Sequence, residues 1–138
     1  MKDYRFRLEF SVRDYECDLA GMVNNASYLN YIEHTRHEFL KSNGVHFADL
    51  AAQGIYLIVV RIELDFLFPL RSGDRFWVGT EMERVSRLRF GLQQDIYRLP
   101  DGKPVLKARV IGSAINEQGR PRLPKEIEAL IAGSVNSS

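Results

Sequence analysis

The stretch V-R-D-Y-E-C-D-L-A-G-M-V-N-N-A-S-Y-L-N-Y-I-E-H-T-R, residues 12–36, decides the fold because an acidic loop runs directly into a long helical pattern. Asn24 and Asn25 are among the residues that best cap a helix N-terminus. A stripe at three- and four-residue spacing follows within residues 26–43, and Gly44 then supplies a stop signal. The stripe positions are Tyr28, Leu29, Ile32, Arg36, Phe39 and Leu40. The pattern predicts one long helix of about four or five turns.

Strand-like runs surround this helix. Residues 5–13 alternate strictly between polar and apolar side chains, which predicts a half-buried strand. Four further strands are predicted at residues 55–68, 75–85, 87–99 and 104–115, and turn-forming Pro, Gly and Asp separate them. Short helical turns are expected at 46–53 and 125–132. The order β-α-β-β-β-β predicts an α+β fold in which one antiparallel five-stranded sheet wraps around the long helix.

Length and charge limit the remaining possibilities. A chain of 138 residues suits one domain, which we place at residues 1–133, with a frayed polar tail at 134–138. The net charge of +1 offers no general attraction for nucleic acid or for a membrane surface. Cys17 is the only cysteine, which excludes an intramolecular disulfide. No apolar stretch is long enough to span a bilayer and no leader is evident, so we expect a cytoplasmic protein.

The segment around the helix start resembles the 4-hydroxybenzoyl-CoA thioesterase type of hotdog protein. The hallmark of that family is an Asp, a Gly three positions later, a helix opening and a Tyr, matched here by Asp18, Gly21 and Tyr28. The motifs V-R-D-Y-E, V-N-N and R-H-E-F-L look most like the plant and bacterial branch that acts on fatty acyl groups carried by acyl carrier protein. The resemblance implies a hotdog fold, hydrolysis of acyl-CoA or acyl-carrier-protein thioesters, no metal or cofactor, and a homodimer or homotetramer with interfacial sites.

Thioester hydrolysis requires a group that attacks or activates water and a donor that stabilises the oxyanion. Asp18 is expected to act either as the nucleophile or as the general base. Gly21 lets the loop fold tightly, and the free N–H groups near Asn25 and Ala26 at the helix start suit a polarised carbonyl. The Asn24 or Asn25 amide could orient water or substrate, although simple capping is the alternative for Asn25.

The resemblance does not carry over an imidazole to this site. Plant acyl-carrier-protein thioesterases have His where Met22 stands, and related bacterial enzymes often have His or an aromatic residue at the Asn25 position. Cys17 is expected to be a small buried residue, and Glu33 a solvated or interface-paired acid. His34 and His37 lack a third ligand for a metal.

An apolar pocket is expected for an aliphatic or aromatic acyl group. Its predicted lining is Tyr28, Leu29 and Ile32 from the helix and Val59 and Val60 from the next strand. Arg61, at the end of the apolar run, is the best candidate for a phosphate of CoA or phosphopantetheine.

Two other functions remain open at this stage. A non-catalytic acyl-binding hotdog module would keep the pocket but would not need Asp18. A hotdog hydratase or dehydratase would need a His beside an acid, which the His-poor loop does not offer.

Overall fold

The computed structural model describes residues 3–136, with side chains described for residues 3–133. A short 3-10 turn at Asp14–Glu16 precedes the long helix. The helices and strands are β1 (Phe6–Ser11), α1 (Asn25–Ser42), α2 (Phe47–Ala52), β2 (Tyr56–Phe66), β3 (Arg75–Ser86), β4 (Arg89–Leu99), β5 (Pro104–Ile115) and α3 (Lys125–Asn136).

All five strands form one antiparallel sheet in the order β1-β3-β4-β5-β2. The predicted α+β plan, with the element order β-α-β-β-β-β, is therefore confirmed. The sequence neighbours β1 and β2 lie at opposite edges of the sheet, because α1 carries the chain from one edge to the other. The functional consequence is that the loop before α1 and the end of β2 can approach each other across the first turns of the helix.

The C-terminal helix is longer than predicted. It runs through Asn136 rather than ending near Ala132, so residues 134–136 are helical instead of forming the expected frayed tail. The sequence contains no proline after Pro124 that would stop the helix. Its buried residues Ile127 and Leu130 anchor it to the core.

The buried face of α1 differs from the predicted stripe at Leu29, which is 40% exposed. Tyr31 and Thr35, which the apolar pattern did not select, are buried instead. The Tyr31 ring packs 4.7 Å from the Phe76 ring, measured between centroids, while its hydroxyl donates to a Glu16 carboxylate oxygen at 2.8 Å. The Thr35 hydroxyl donates to the Tyr31 carbonyl at 2.8 Å, which satisfies its buried polar atom.

The strand predicted at residues 55–68 is β2, and most of its residues are exposed, several apolar ones included. In the structure β2 is an edge strand, and a β-bulge interrupts its pairing with β5 between Val59 and Arg61. Its exposed large apolar side chains are Tyr56, Val59, Val60, Ile62 and Phe66. Such an edge is a surface on which another strand can pair.

The packing of α1 predicts that two substitutions on this helix lower the free energy of unfolding by very different amounts. Phe39→Ala should lower the free energy of unfolding by about 3–5 kcal/mol, because it leaves a cavity where a buried ring packs against Phe6. Leu29→Ala removes a side chain that is already 40% exposed and should cost less than about 1 kcal/mol. Urea denaturation at one protein concentration measures both. Equal losses would contradict this assignment of the buried face.

Candidate active site

The loop that carries Asp18 folds into a tight turn around its own carboxylate. One carboxylate oxygen, Oδ1, accepts from the backbone N–H of Ala20 at 2.9 Å and of Met22 at 3.1 Å. The Asp18 N–H donates to the Met22 carbonyl at 2.7 Å. Gly21 has φ of +80°, a left-handed conformation that favours glycine. Among the described residues nothing donates to Oδ2 of Asp18, so this oxygen faces solvent with its lone pairs available.

Hydrogen bonds tie this loop to α1 and to the β2–β3 connection. The Val23 N–H donates to the Leu70 carbonyl at 2.9 Å, and Cys17 and Val23 form an isolated β-bridge. The Leu70 N–H in turn donates to the Tyr28 hydroxyl oxygen at 2.9 Å. Burial raises the pKa of Tyr28, which keeps the hydroxyl protonated. The position of Asp18 relative to the helix is therefore fixed by tertiary contacts as well as by the turn.

The start of α1 leaves two backbone donors free. The Asn24 side chain is the N-cap: its Oδ1 accepts from the Ser27 N–H at 3.0 Å, and its Nδ2 donates to the Glu16 carbonyl at 3.1 Å. The N–H groups of Asn25 and Ala26 cannot pair within the helix, and they have no other acceptor among residues 3–136. They point outward with the positive end of the helix dipole.

Asp18, Asn25 and Tyr28 line one cavity of about 300 Å³. The remaining lining is mostly apolar and consists of Met22, Val23, Phe66, Leu67, Phe68 and Pro69. Asp18 and the first residue of α1 thus border the same space, together with mostly apolar residues. This arrangement can hold a carbonyl near a base or nucleophile while an apolar group packs alongside.

The far wall of this cavity is formed by residues 66–69, which the sequence pattern does not mark as part of a site. Phe66 packs on Tyr28 with ring centroids 5.6 Å apart. In the sequence, F-L-F-P indicates a strand end and resembles the Pro-containing turn after the second strand of the family. Its closeness to Asp18 depends on the position of β2 at the sheet edge beside the start of α1, which spacing along the chain does not reveal.

Several predicted pocket residues lie outside the lining of this cavity. Ile32 is fully buried in the core, and Leu29 is exposed on the surface of α1 without lining it. Asn24 contributes through its cap rather than through a free amide. Of the residues of α1, Asn25 and Tyr28 line the cavity, whereas Leu29 and Ile32 do not.

The predicted β2 residues are also outside this lining. Val59 lines a different cavity further along α1. Val60 is 41% exposed on the edge strand. Arg61 is exposed and forms an ion pair with Glu63 at 3.3 Å between Nε and Oε1. Within one subunit, none of these three residues lines the cavity that contains Asp18.

The weaker catalytic candidates can also be placed. Burial, followed by the charge of Asp14, raises the pKa of the half-buried Cys17 thiol, which keeps it in the less nucleophilic protonated form. Glu33 and His37 line the other cavity. No group of three or more His, Cys, Asp or Glu side chains within the described part of the chain could hold a metal ion.

Comparison with known proteins identifies relatives of the whole domain. The chloroplastic acyl-acyl carrier protein thioesterase ATL3 of Arabidopsis thaliana is 41% identical over 123 residues, which cover 88% of this chain and 65% of that protein. The chain thus spans 65% of the length of this plant relative and of its paralogue ATL2. Long-chain acyl-CoA thioesterase FadM of Escherichia coli is 28% identical over 120 residues, covering 87% of this chain and 90% of that protein.

A solved structure shows the same fold. The crystal structure of a 1,4-dihydroxy-2-naphthoyl-CoA thioesterase from Synechocystis matches with a TM-score of 0.86 at 22% identity, over 92% of this chain and 95% of that chain. The expected hotdog fold is confirmed. A family model described as the thioesterase-like superfamily matches residues 12–131. The chain therefore belongs to the thioesterase-like superfamily of hotdog proteins.

Proposed function

We propose that this chain hydrolyses acyl thioesters at the cavity that contains Asp18. The observation that carries the proposal is that Asp18 and Asn25, the first residue of α1, line one cavity whose remaining lining residues are mostly apolar. The family and the names of its relatives support the same class of reaction.

The chemistry assigned to Asp18 rests on its free oxygen. Because Oδ1 is occupied by two backbone donors, Oδ2 is the atom that would react. As a general base it takes a proton from water, whose oxygen bonds to the carbonyl carbon while the C–S bond breaks and the thiol leaves with a proton. As a nucleophile it forms a mixed anhydride with loss of the thiol, and water then hydrolyses the anhydride. Both routes give the free acid and the thiol.

The N–H groups of Asn25 and Ala26 are the proposed oxyanion donors. They lack intramolecular acceptors, and the helix dipole adds to their favourable field for developing negative charge. Loss of one donor of this kind costs about 10²–10³-fold in kcat. The exposed Asn25 side chain is free for a role in orienting water or substrate because Asn24 supplies the cap.

The walls of the cavity favour an apolar acyl group, either aliphatic or aromatic. Phe66, Leu67 and Phe68 supply the hydrophobic surface on one side, and Tyr28 and Met22 supply it on the other. The relatives named above act on thioesters of acyl carrier protein or of CoA, and we extend both carriers to this chain as candidate substrates.

Two alternative functions would require different residues at this site. A non-catalytic acyl-binding module would keep the cavity and would not depend on Asp18. A hydratase would require a His, and none is among the residues lining the Asp18 cavity. A panel of acyl-CoA and acyl-carrier-protein thioesters with a free-thiol readout separates hydrolysis from both alternatives, because only hydrolysis releases thiol.

Asp18→Asn tests the assignment directly. Asn can accept the same backbone hydrogen bonds at its amide oxygen, so the turn should persist with a stability change of at most about 1 kcal/mol. The amide cannot accept the proton from water or attack effectively, so kcat should fall by roughly 10²–10⁴-fold. Steady-state thiol release from the most active thioester of the panel measures the loss.

Asp14→Asn is the matched control, since Asp14 is an exposed acid in the same loop region outside the lining of the cavity. It should keep kcat within about threefold of the unmodified chain, because it changes one exposed charge outside the lining of the Asp18 cavity. If a folded Asp18→Asn protein retains the activity of Asp14→Asn, another residue carries the chemistry.

We also propose that the active form is a homodimer or homotetramer paired through β2. The edge strand presents unpaired backbone groups together with the exposed apolar side chains described above. An edge-to-edge pair would cover both. Phe66, at the end of β2, lines the Asp18 cavity, so a paired subunit would lie close to the reaction site.

Ile62→Lys should shift the oligomer toward monomer at the same protein concentration, because it places a charge on the proposed pairing surface. Val85→Lys is its control, since both side chains are 39% exposed but Val85 lies on β3. Light scattering coupled to size-exclusion chromatography gives the masses. A monomeric unmodified chain, or equal effects of the two substitutions, would contradict pairing through β2.

Localisation and other partners remain predictions. Among residues 3–136, no helix combines the length and the apolar character needed to cross a membrane. The cytoplasm and the lack of nucleic-acid or membrane partners stay expectations from composition.

A further inference from the structure

A second cavity, of about 250 Å³, lies between α1 and the strands β2, β4 and β5. It shares no lining residue with the Asp18 cavity. Its inner wall includes the buried apolar residues Leu40, Phe90, Leu92 and Val110. Arg36 also lines it, eleven positions after Asn25 and thus about 16 Å further along the helix axis.

Arg36 is an unusual residue for such a wall, since it is only 8% exposed. Its Nη1 donates to the Gln94 side-chain oxygen at 3.3 Å. Among the described residues no carboxylate oxygen lies within 4 Å of the guanidinium, although Glu33 also lines the cavity. Burial lowers the pKa of Arg36, and the negative charge of nearby Glu33 opposes this by raising it, without forming an ion pair.

The remaining guanidinium nitrogens of Arg36 have open space beside them. No fully buried side-chain nitrogen or oxygen in the described part of the chain lacks a hydrogen-bond partner. Since the hydrogen bond from Nη1 is the one that Arg36 makes, Nε and Nη2 are not fully enclosed by protein. Arg36 is one of the residues that line the cavity, so the cavity adjoins its side chain.

Gln94 holds the guanidinium in place. It is fully buried, and its Nε2 donates to the Ile32 carbonyl at 3.1 Å and to the Thr80 hydroxyl oxygen at 3.3 Å. With both amide hydrogens used, its oxygen is directed at Arg36. The cation is therefore oriented before any ligand arrives, which reduces the entropic cost of binding.

We propose that this cavity binds a short carboxylic acid, with the carboxylate on Arg36 and the apolar body against Leu57, Phe90 and Val110. A carboxylate matches the planar guanidinium and would form the direct ion pair that Arg36 does not make with Glu33. An inorganic anion would make no favourable contact with the apolar walls. The negative charge of Glu33, which lines the same cavity, disfavours a dianion such as phosphate. Carboxylic acids are also what thioester hydrolysis releases; this link to product rests on the proposed function, whereas the binding itself does not.

Isothermal titration of the full chain with octanoate and with 1-octanol tests the site. Octanoate should bind more tightly than octanol, which has the same chain length but no charge. Arg36→Gln should weaken octanoate binding by roughly 10- to 100-fold, because it removes the hydrogen bonds between the charged guanidinium and the carboxylate. It should leave octanol binding unchanged. Equal affinity of the unmodified chain for the two ligands, or equal octanoate affinity of the unmodified and Arg36→Gln proteins, would overturn the proposal.

A second variant keeps the test decisive if Arg36→Gln does not fold. Leu57→Trp fills the cavity from a half-buried position on β2 and should abolish binding of both ligands. Unchanged octanoate binding by Leu57→Trp would place the ligand elsewhere and overturn the proposal.

Asp18→Asn separates the two proposals. It should keep the octanoate affinity of the unmodified chain while losing thiol release. A changed octanoate affinity in Asp18→Asn, above all the tighter binding expected when a like charge is removed beside the ligand, would assign the acid to the Asp18 cavity and overturn the second site. A chain that binds octanoate through Arg36 but releases no thiol would overturn the proposed function alone.

Discussion

Burial of one face of α1 against the antiparallel sheet is the interaction on which the rest of the structure depends. The helix places its first turn, with the free N–H groups of Asn25 and Ala26, next to the Asp18 loop. Tyr28 anchors that turn because its buried hydroxyl accepts from the Leu70 N–H. The same hydrogen bond brings the β2–β3 connection against the helix, so packing and the geometry of the candidate site cannot be separated. A change that tilts α1 would alter the site without touching a reacting atom.

The helix α1 also contributes polar groups to two separate cavities. At its start, the dipole and the unpaired N–H groups favour negative charge near the carboxylate of Asp18. Three turns later, Arg36 puts a buried cation beside a separate apolar cavity. Both cavities have mostly apolar lining residues, but the first carries the carboxylate of Asp18, whereas the second carries the cation of Arg36 beside the carboxylate of Glu33. The first suits a neutral thioester that develops negative charge during reaction, and the second suits a ligand that already carries it.

The parts of the structure that depend on local sequence were predictable, whereas those that depend on the sheet order were not. The helix from Asn25, its cap and the loop turn at Gly21 follow from residues within a few positions of one another. Residues 66–69 complete the cavity only because β2 occupies a sheet edge. Val59 and Val60 are exposed for the same reason, namely that β2 lies at the sheet edge. The apolar composition of a strand does not show whether it lies at an edge or in the interior of a sheet. Arg36 was counted as part of the apolar stripe, and its partner Gln94 lies 58 residues away.

The most direct measurement is a crystal structure with a non-hydrolysable acyl-CoA analogue in which a methylene group replaces the thioester sulfur. We predict that the carbonyl oxygen lies about 2.7–3.1 Å from the N–H nitrogen of Asn25 or Ala26, the range expected for an oxyanion donor. We also predict that Asp18 Oδ2 contacts the carbonyl carbon or a water beside it, with the acyl group against Phe66. A carbonyl bound away from the start of α1, with Asp18 contacting neither it nor an adjacent water, would contradict hydrolysis at the Asp18 cavity.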